Sequence, residues 1–429
     1  MPPSSVRLLA LSLLFPHGLA SPLHRADVWS PDAVRYEGTT ANTVESFLNI
    51  RFGEDTSGAN RFAPPRPFTP PPGTIVNATN AGAACSTSPL RLNGDGATGV
   101  GLQITAYGGS RQAPFQRAIM QSGSPMADPG TASNKSTEHT AQLTKLLNCT
   151  AVTSVAELQW LRSLPMDTLN SVSVAYQNQV GGEDGMDVFI PTSPSTFIPE
   201  SPSKLLSTGR FARNVDIIGG WNEDDGSFST PTSLTTEKDV AVFLKDEYPA
   251  FSTSDIARAL ALYSVSSFSS RGASLPPANR NITAHYFRAS QMKRDAEFAC
   301  PSLYMAQMMG RYSTTSTANY LFALNQTLFR EMYAAVDVSY LGVSHFSDIP
   351  YVFNQVESED YAPFASAQDS ILSSEMSGSW AALHRLEGPR MGMALLLGWV
   401  GAENGNGGYT LQVIGEARKP DQDTWEGWV

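Results

Sequence analysis

The sequence predicts an α/β fold, a mostly parallel central sheet with helices on both faces. Three observations predict it. Four short runs are largely apolar: "RAIMQSG" at 117–123, "VDIIGG" at 215–220, "NYLFAL" at 319–324 and "YTLQVIG" at 409–415. They are too short for buried helices, and strands buried on both faces read as continuous apolar runs rather than as an alternation. Helical periodicity fills the long intervals between them, which is the order expected of strands joined by helical crossovers. Finally, 429 residues with 41% apolar content can build one large core, whereas a 16% charged fraction is too low for a disordered polymer.

Taken in order, the chain opens on a secretory signal. "MPPSSVR" is a short polar region carrying Arg7, "LLALSLLF" is an apolar run of the right length, and "GLA" places a small-residue cleavage site near Ala20. Residues 1–20 are therefore expected to be removed, and 21–429 to form a single domain. "SFLNIRF" (46–52) reads as a strand. "RFAPPRPFTPPPGT" after it is extended and turn-rich, because each proline removes a donor and restrains its predecessor. Val100, Ile104 and Tyr107 share one helical face, and Gly108-Gly109 stops that helix. Further helices are expected at about 138–148 and 154–162, from a Ser254 cap through "SDIARALALY", at 286–311 with an interruption at Pro301, and at 377–386.

Composition narrows the function. A net charge of −11 repels nucleic acid and anionic lipid, so neither is an expected partner. No run beyond the signal approaches the ~20 apolar residues of a membrane span. Five N-x-[ST] sequons, at Asn77, Asn134, Asn148, Asn281 and Asn325, agree with export as a glycoprotein. Three cysteines, Cys85, Cys149 and Cys300, leave at least one thiol without an intramolecular partner.

The stretch "RLNGDGATGVGLQITAYGG" (91–109) poses the chemical question, because Gly94, Gly96 and Gly99 spell G-x-G-x-x-G. A dinucleotide fingerprint needs a strand before the glycines and an acid about 20 residues on. "CSTSPLRLN" is a poor strand, and "AIMQSG" holds no acid. A Walker loop fails too, since no lysine follows Gly99. The dinucleotide-binding enzyme remains the remotest reading.

Two other segments carry acid–base chemistry. "IIGGWNEDDGSF" puts a carboxylate run directly after a buried strand, and "SYLGVSHFSDIPYVF" puts His345 in a turn between Gly342 and Pro350. A carboxylate so placed can orient a histidine base and stabilise its cation. The bland alternatives are a solvated acidic turn at Glu223, Asp224 and Asp225, and a surface or capping histidine.

These segments, with "SFLNIRFGEDTSGANRFAPPRPF", "GDGATGVGLQITAYGG", "FQRAIMQSGSP" and "FACP", resemble the type-B carboxylesterases, the cholinesterase-like α/β-hydrolases, and in particular their fungal secreted members. They run in family order over nearly all of the mature chain. The resemblance implies an α/β-hydrolase fold and a secreted, glycosylated carboxylic ester hydrolase. It further implies a Ser-acid-His triad, a small ester as substrate, and no metal or organic cofactor. Carried over residue by residue, it makes Asp225 the triad acid and His345 the triad base.

The nucleophile is where the resemblance fails. The family places its serine in G-x-S-x-G ahead of the "GAT-VGLQ-TAYGG" helix. The matching residues here are Leu92, Asn93, Gly94, Asp95 and Gly96, so Gly94 stands at the serine position. The chain has no other G-x-S-x-G. Ser122 and Ser124, in "MQSGSP", lie on the strand after that helix and lack the sharp strand-to-helix turn that exposes a nucleophile. Between Cys85 and Gly94 the chain has only "STSPLRLN", where the family carries a long segment with the H-G-G-G oxyanion loop and several strands, one of them leading into the serine turn. The fold is therefore expected to lack several family strands, and of the oxyanion donors only the backbone N–H of Asp95 would remain. The expectation is an ester hydrolase by family that is inactive or impaired as written. A secreted, non-catalytic cholinesterase-like binding protein is the alternative. A splice boundary misplaced near "PLRLN" and a true pseudoenzyme both account for the gap. By the same resemblance Cys85 matches half of an N-terminal disulfide loop, but no cysteine precedes it, and Trp160 stands where a partner of Cys149 often stands.

Overall fold

The computed structural model describes residues 24–41, 44–82, 95–126, 131, 134–180, 188–312, 319–385, 403–404 and 410–414. The chain divides into two units, one drawing on residues up to 91 and on Leu143–Ala175, the other on Leu92–Gln142 and Tyr176 onward.

The first unit carries a four-stranded sheet. β1 (His24–Trp29) runs antiparallel to β2 (Arg35–Ala41). β3 (Val44–Ser46) pairs antiparallel and β4 (Ile75–Asn77) pairs parallel with the two ends of β2. Arg25 and Arg35 face Asp27 and Glu37 across the β1–β2 pair, and such exposed cross-strand ion pairs contribute well under about 1 kcal/mol each. The strand expected over 46–52 ends at Ser46. Beyond it Asn49 takes a positive φ of 56°, which takes the chain out of extended geometry.

The second unit holds the main sheet. Its strands are β5 (Arg117–Gln121), β6 (Asp216–Asn222), β7 (Asn319–Leu324), β8 (Glu403–Asn404) and β9 (Thr410–Ile414), in the order β5-β6-β7-β9-β8. The first four in that order are parallel and β8 joins antiparallel. All four apolar runs read from the sequence are thus strands of one sheet.

The sheet is buried on both faces, and the two-residue period decides which side chain goes where. Ala118, Met120, Ile217, Trp221, Leu321 and Ala323 pack with Ile104 of the helix Asp95–Thr105 and Met305 of the helix Cys300–Tyr312. Ile218, Phe322 and Leu324 point the other way, onto Leu328, Tyr351, Met376 and Trp380. A third cluster joins the helices Glu237–Glu247, Thr253–Leu262 and Ala284–Arg294.

Two helix details differ from the sequence reading. The helix expected to start at a Ser254 cap is capped by Ser252, whose side chain accepts from the Asp255 N–H while Asp255 accepts from the Ser252 N–H. That reciprocal pair satisfies two orphan donors at once, which Ser254 could not do. Pro301 does not interrupt 286–311. One turn of π-helix, Asp295–Ala299, precedes it, and the helix resumes at Cys300. The wider turn accommodates the missing proline N–H and places Phe298 beside His345.

Candidate active site

The acidic run after β6 is not a solvated turn. Asn222, Glu223, Asp224 and Asp225 are each at most 4% exposed. Burying four polar side chains is costly unless each finds partners, and each does. The Glu223 carboxylate lies 3.6 Å from the wholly buried Arg294 guanidinium, which also pairs with Asp295 at 2.5 Å. Asp224 accepts from Arg271 at 2.6 Å and from the Val343 N–H at 3.0 Å, and its own N–H donates to the Val343 carbonyl at 2.9 Å. Burial pushes the Asp224 carboxyl up, but the Arg271 charge and the donated bonds outweigh it and hold the group below its usual range.

The turn closes at Gly226, which lies hard against the helix Ala284–Arg294. A Cβ there would sit 2.1 Å from the Ser290 carbonyl oxygen and 2.7 Å from the Arg294 nitrogen. That close approach brings the Arg294 side chain under Glu223.

Asp225 is the hub. One carboxylate oxygen lies 2.9 Å from His345 Nδ1. The other accepts from Ser122 Oγ at 2.8 Å and from the Asn222 N–H at 2.8 Å. Three donors on one wholly buried carboxylate fix its position and compensate its desolvation.

His345 sits on a turn after Gly342, with the Phe298 ring 5.0 Å away by centroid and the Phe346 ring 4.3 Å away. Nδ1 is committed to Asp225, so Nε2 is the nitrogen available to accept a proton. Burial pushes the imidazole down. The hydrogen bond and charge of Asp225 push it up and prevail, with smaller contributions from Asp348 and Glu297, so the ring titrates above its ordinary value. Replacing Asp225 by asparagine removes the main upward influence while burial stays. The His345 pKa, followed by NMR of labelled histidine, is expected to fall from above about 6.5 to below it. An unchanged titration would contradict this account of the pair.

Ser122 follows β5 at a positive φ of 50° and is 5% exposed. Its hydroxyl is turned toward Asp225, away from the nucleophile's role. Ser124 is also buried, and its Oγ accepts from the Met126 N–H at 3.1 Å. Asp348, Gln121 and Asn222 form a second polar cluster against the same turns. Sequence reasoning passed over Ser122 as a partner of the acid, and over Gln121, Asp348 and Phe298 altogether.

Gly94 and Cys85 lie outside the described residues. Asp95 opens the helix Asp95–Thr105, with its backbone at the helix N-terminus. Gly96 and Gly99 lie within that helix, and among the described residues no atom lies within 4 Å of a Cβ at either, whereas Gly101 is the crowded glycine, its Cβ position 2.4 Å from Pro125. A dinucleotide fingerprint uses its last glycine for close helix–strand packing, so this spacing does not fit one. Cys149 is half-buried and Cys300 buried. Of the sequon asparagines, Asn77, Asn134, Asn148 and Asn281 are exposed and Asn325 is half-buried. No described helix is long and apolar enough to cross a membrane.

A mostly parallel sheet with helices on both faces, an acid turn after one strand and a histidine turn beside it define an α/β-hydrolase. The solved structure of EstA from Aspergillus niger has the same fold, with a TM-score of 0.67 at 16% identity, covering 92% of this chain and 96% of that one. The carboxylesterase family model matches residues 91–403, and the chain belongs to that family. An inactive carboxylesterase-like protein, VdtD of Byssochlamys spectabilis, is 28% identical over 501 aligned positions that take in 84% of this chain and 85% of the relative. Since 84% of 429 residues is about 360, about 140 aligned positions of the relative have no counterpart here. A secreted lipase of Arthroderma benhamiae is 31% identical over 69% of this chain, which spans half of that lipase's length.

Proposed function

We propose that this chain, as it stands, is a carboxylesterase-family protein that keeps the acid and base of an acyl-transfer site without its nucleophile, and hydrolyses esters poorly or not at all. The observation that carries the reading is a contrast. Asp225 and His345 lie 2.9 Å apart in a buried hydrogen-bonded frame, while the G-x-S-x-G position reads Leu92-Asn93-Gly94-Asp95-Gly96. Acyl transfer needs an activated hydroxyl, a base, and donors aimed at the developing oxyanion. Glycine supplies no hydroxyl, and of the donors only the Asp95 N–H is retained. The similarity to VdtD, a relative described as inactive, supports the same reading.

Residues 1–20 act as a cleaved signal in this reading, and the five sequon asparagines carry glycans. The similarity to a protein named as a secreted lipase supports export. The substrate class of the family site is a small ester. A fluorophosphonate probe tests the proposal chemically, because an activated serine oxygen attacks its phosphorus, displaces fluoride and is left phosphonylated. The 429-residue chain is expected to stay unlabelled, and a stoichiometric adduct on any serine would overturn the reading. A secreted, non-catalytic binding role is the second reading, favoured by the intact packing around the acid and histidine turns. Sequencing the transcript across residues 85–94 separates both from a lost exon: an in-frame segment with H-G-G-G and G-x-S-x-G would restore the enzyme.

A further inference from the structure

The turn that carries His345 is strained. Phe346, directly after the histidine, has a φ of +71°, a region that bulky residues rarely enter. Such a residue persists only where its surroundings over-determine it. The near side of the turn is tied by Val343 to Asp224 and by the Ser344 carbonyl to Asn222 Nδ2 at 3.2 Å. The far side ends at Asp348, 3% exposed, and both of its carboxylate oxygens are taken. One accepts from Asn222 Nδ2 at 3.1 Å and the other from Gln121 Nε2. Gln121 is itself oriented, because its Oε1 accepts from Trp380 Nε1 at 3.0 Å. An amide held at both ends this way has only one workable orientation.

Gln121 and Ser122 are consecutive at the end of β5. The first reaches Asp348 beyond the histidine, and the second reaches Asp225, the histidine's partner. One strand end therefore touches both turns. We propose that Gln121 and Asp348 form a positioning clamp that holds the His345 turn in register with Asp225. The proposal rests on the reading of His345 as the retained base. Neither clamp residue would touch substrate. Their effect is on where the imidazole stands between the Asp225 carboxylate and the Phe298 ring.

The polarity of the clamp gives it a specific test. Asp348→Asn leaves one acceptor oxygen where the carboxylate offered two, so the new amide accepts from either Asn222 or Gln121 and sets a donor against the other. Gln121 can then flip only by losing Trp380. Gln121→Leu removes the bond without changing any charge near His345, so Asp225, Asp348 and Glu297 still face the ring. Gln121→Glu combined with Asp348→Asn reverses the polarity and restores every bond, since a carboxylate at position 121 accepts from both the new amide at position 348 and Trp380. The readout is the NMR signal of the His345 Nδ1 proton shared with Asp225, with its pH titration. Both single changes are expected to lose or shift that signal upfield, and the double change to recover it. Folded single variants with the wild-type signal would overturn the clamp, because a merely structural role would lower stability and leave the signal alone. Should the single variants fail to fold, a folded double variant with the wild-type signal supports it, and a folded double variant without the signal overturns it. None of these readouts requires turnover. Ester hydrolysis by the chain would sink the proposed function and leave the clamp standing.

Discussion

Gly342→Ala is expected to destabilise the protein by at least about 3 kcal/mol, a large share of a native stability that is only ~5–15 kcal/mol. Gly342 has φ +63° and ψ −133°, a backbone region essentially reserved for glycine, and strain there costs about 1–3 kcal/mol. Space is the larger problem. A Cβ at this position would lie 2.1 Å from an Asp224 carboxylate oxygen. That carboxylate cannot step aside without leaving Arg271 and the Val343 N–H. A buried charge deprived of its partner costs about 3–5 kcal/mol, somewhat less here because Arg271 is a quarter exposed. Gly378→Ala is the control. It lies in the helix Ala367–Arg385 with nothing within 4 Å, and alanine there should stabilise by about 0.5–1 kcal/mol. Urea denaturation of the two variants should show opposite signs. A tolerated Gly342→Ala would mean that Asp224 is not fixed against the histidine turn.

The second large effect is a gain. Replacing residues 86–94 with the corresponding segment of a family ester hydrolase that contains the oxyanion loop and G-x-S-x-G should raise ester turnover by about 10⁶-fold. Loss of a triad serine costs that much in another hydrolase, and each missing oxyanion donor adds a further ~10²–10³-fold. The expectation depends on Asp225 and His345 already standing in a buried, bonded frame. Serine→Ala within the graft is the control, and steady-state hydrolysis of a phenyl ester is the readout. A folded chimaera that stays silent would show that the retained pair is not a working acid and base.

The fold was legible where burial is two-sided. β6 and β7, buried along nearly their whole length, announce themselves as short apolar runs because parallel strands covered on both faces need no polar side chains. β1 and β2 carry alternating charges such as Arg25, Asp27, Arg35 and Glu37, and their pairing exists only across the hairpin, so "HRADVW" alone does not declare a strand. The helix Met166–Val180 was missed although Leu169, Val172 and Tyr176 share one face, because its serine, asparagine, threonine and valine residues are weak helix formers.

At the site, turn context pointed to the run Glu223–Asp225 and to His345, and the family resemblance picked out Asp225 and His345, which lie 2.9 Å apart although 120 positions separate them. The burial of "NEDD" was not legible, because it depends on Arg271 and Arg294, which come from remote helices. Ser122 and the Gln121–Asp348 bond were hidden likewise, since they join residues 103 and 227 positions apart. The π-turn that sets Phe298 against His345 looked like an ordinary proline break.

One measurement bears most directly on the whole account: the rate at which the purified polypeptide, its intact mass verified as this 429-residue sequence or its signal-cleaved form, hydrolyses a simple phenyl ester. A site with an acid and a base but no attacking oxygen should give a rate close to the uncatalysed background, unaffected by His345→Ala. Turnover of about 1–10³ s⁻¹, the ordinary enzymatic range, abolished by that same change, would contradict it.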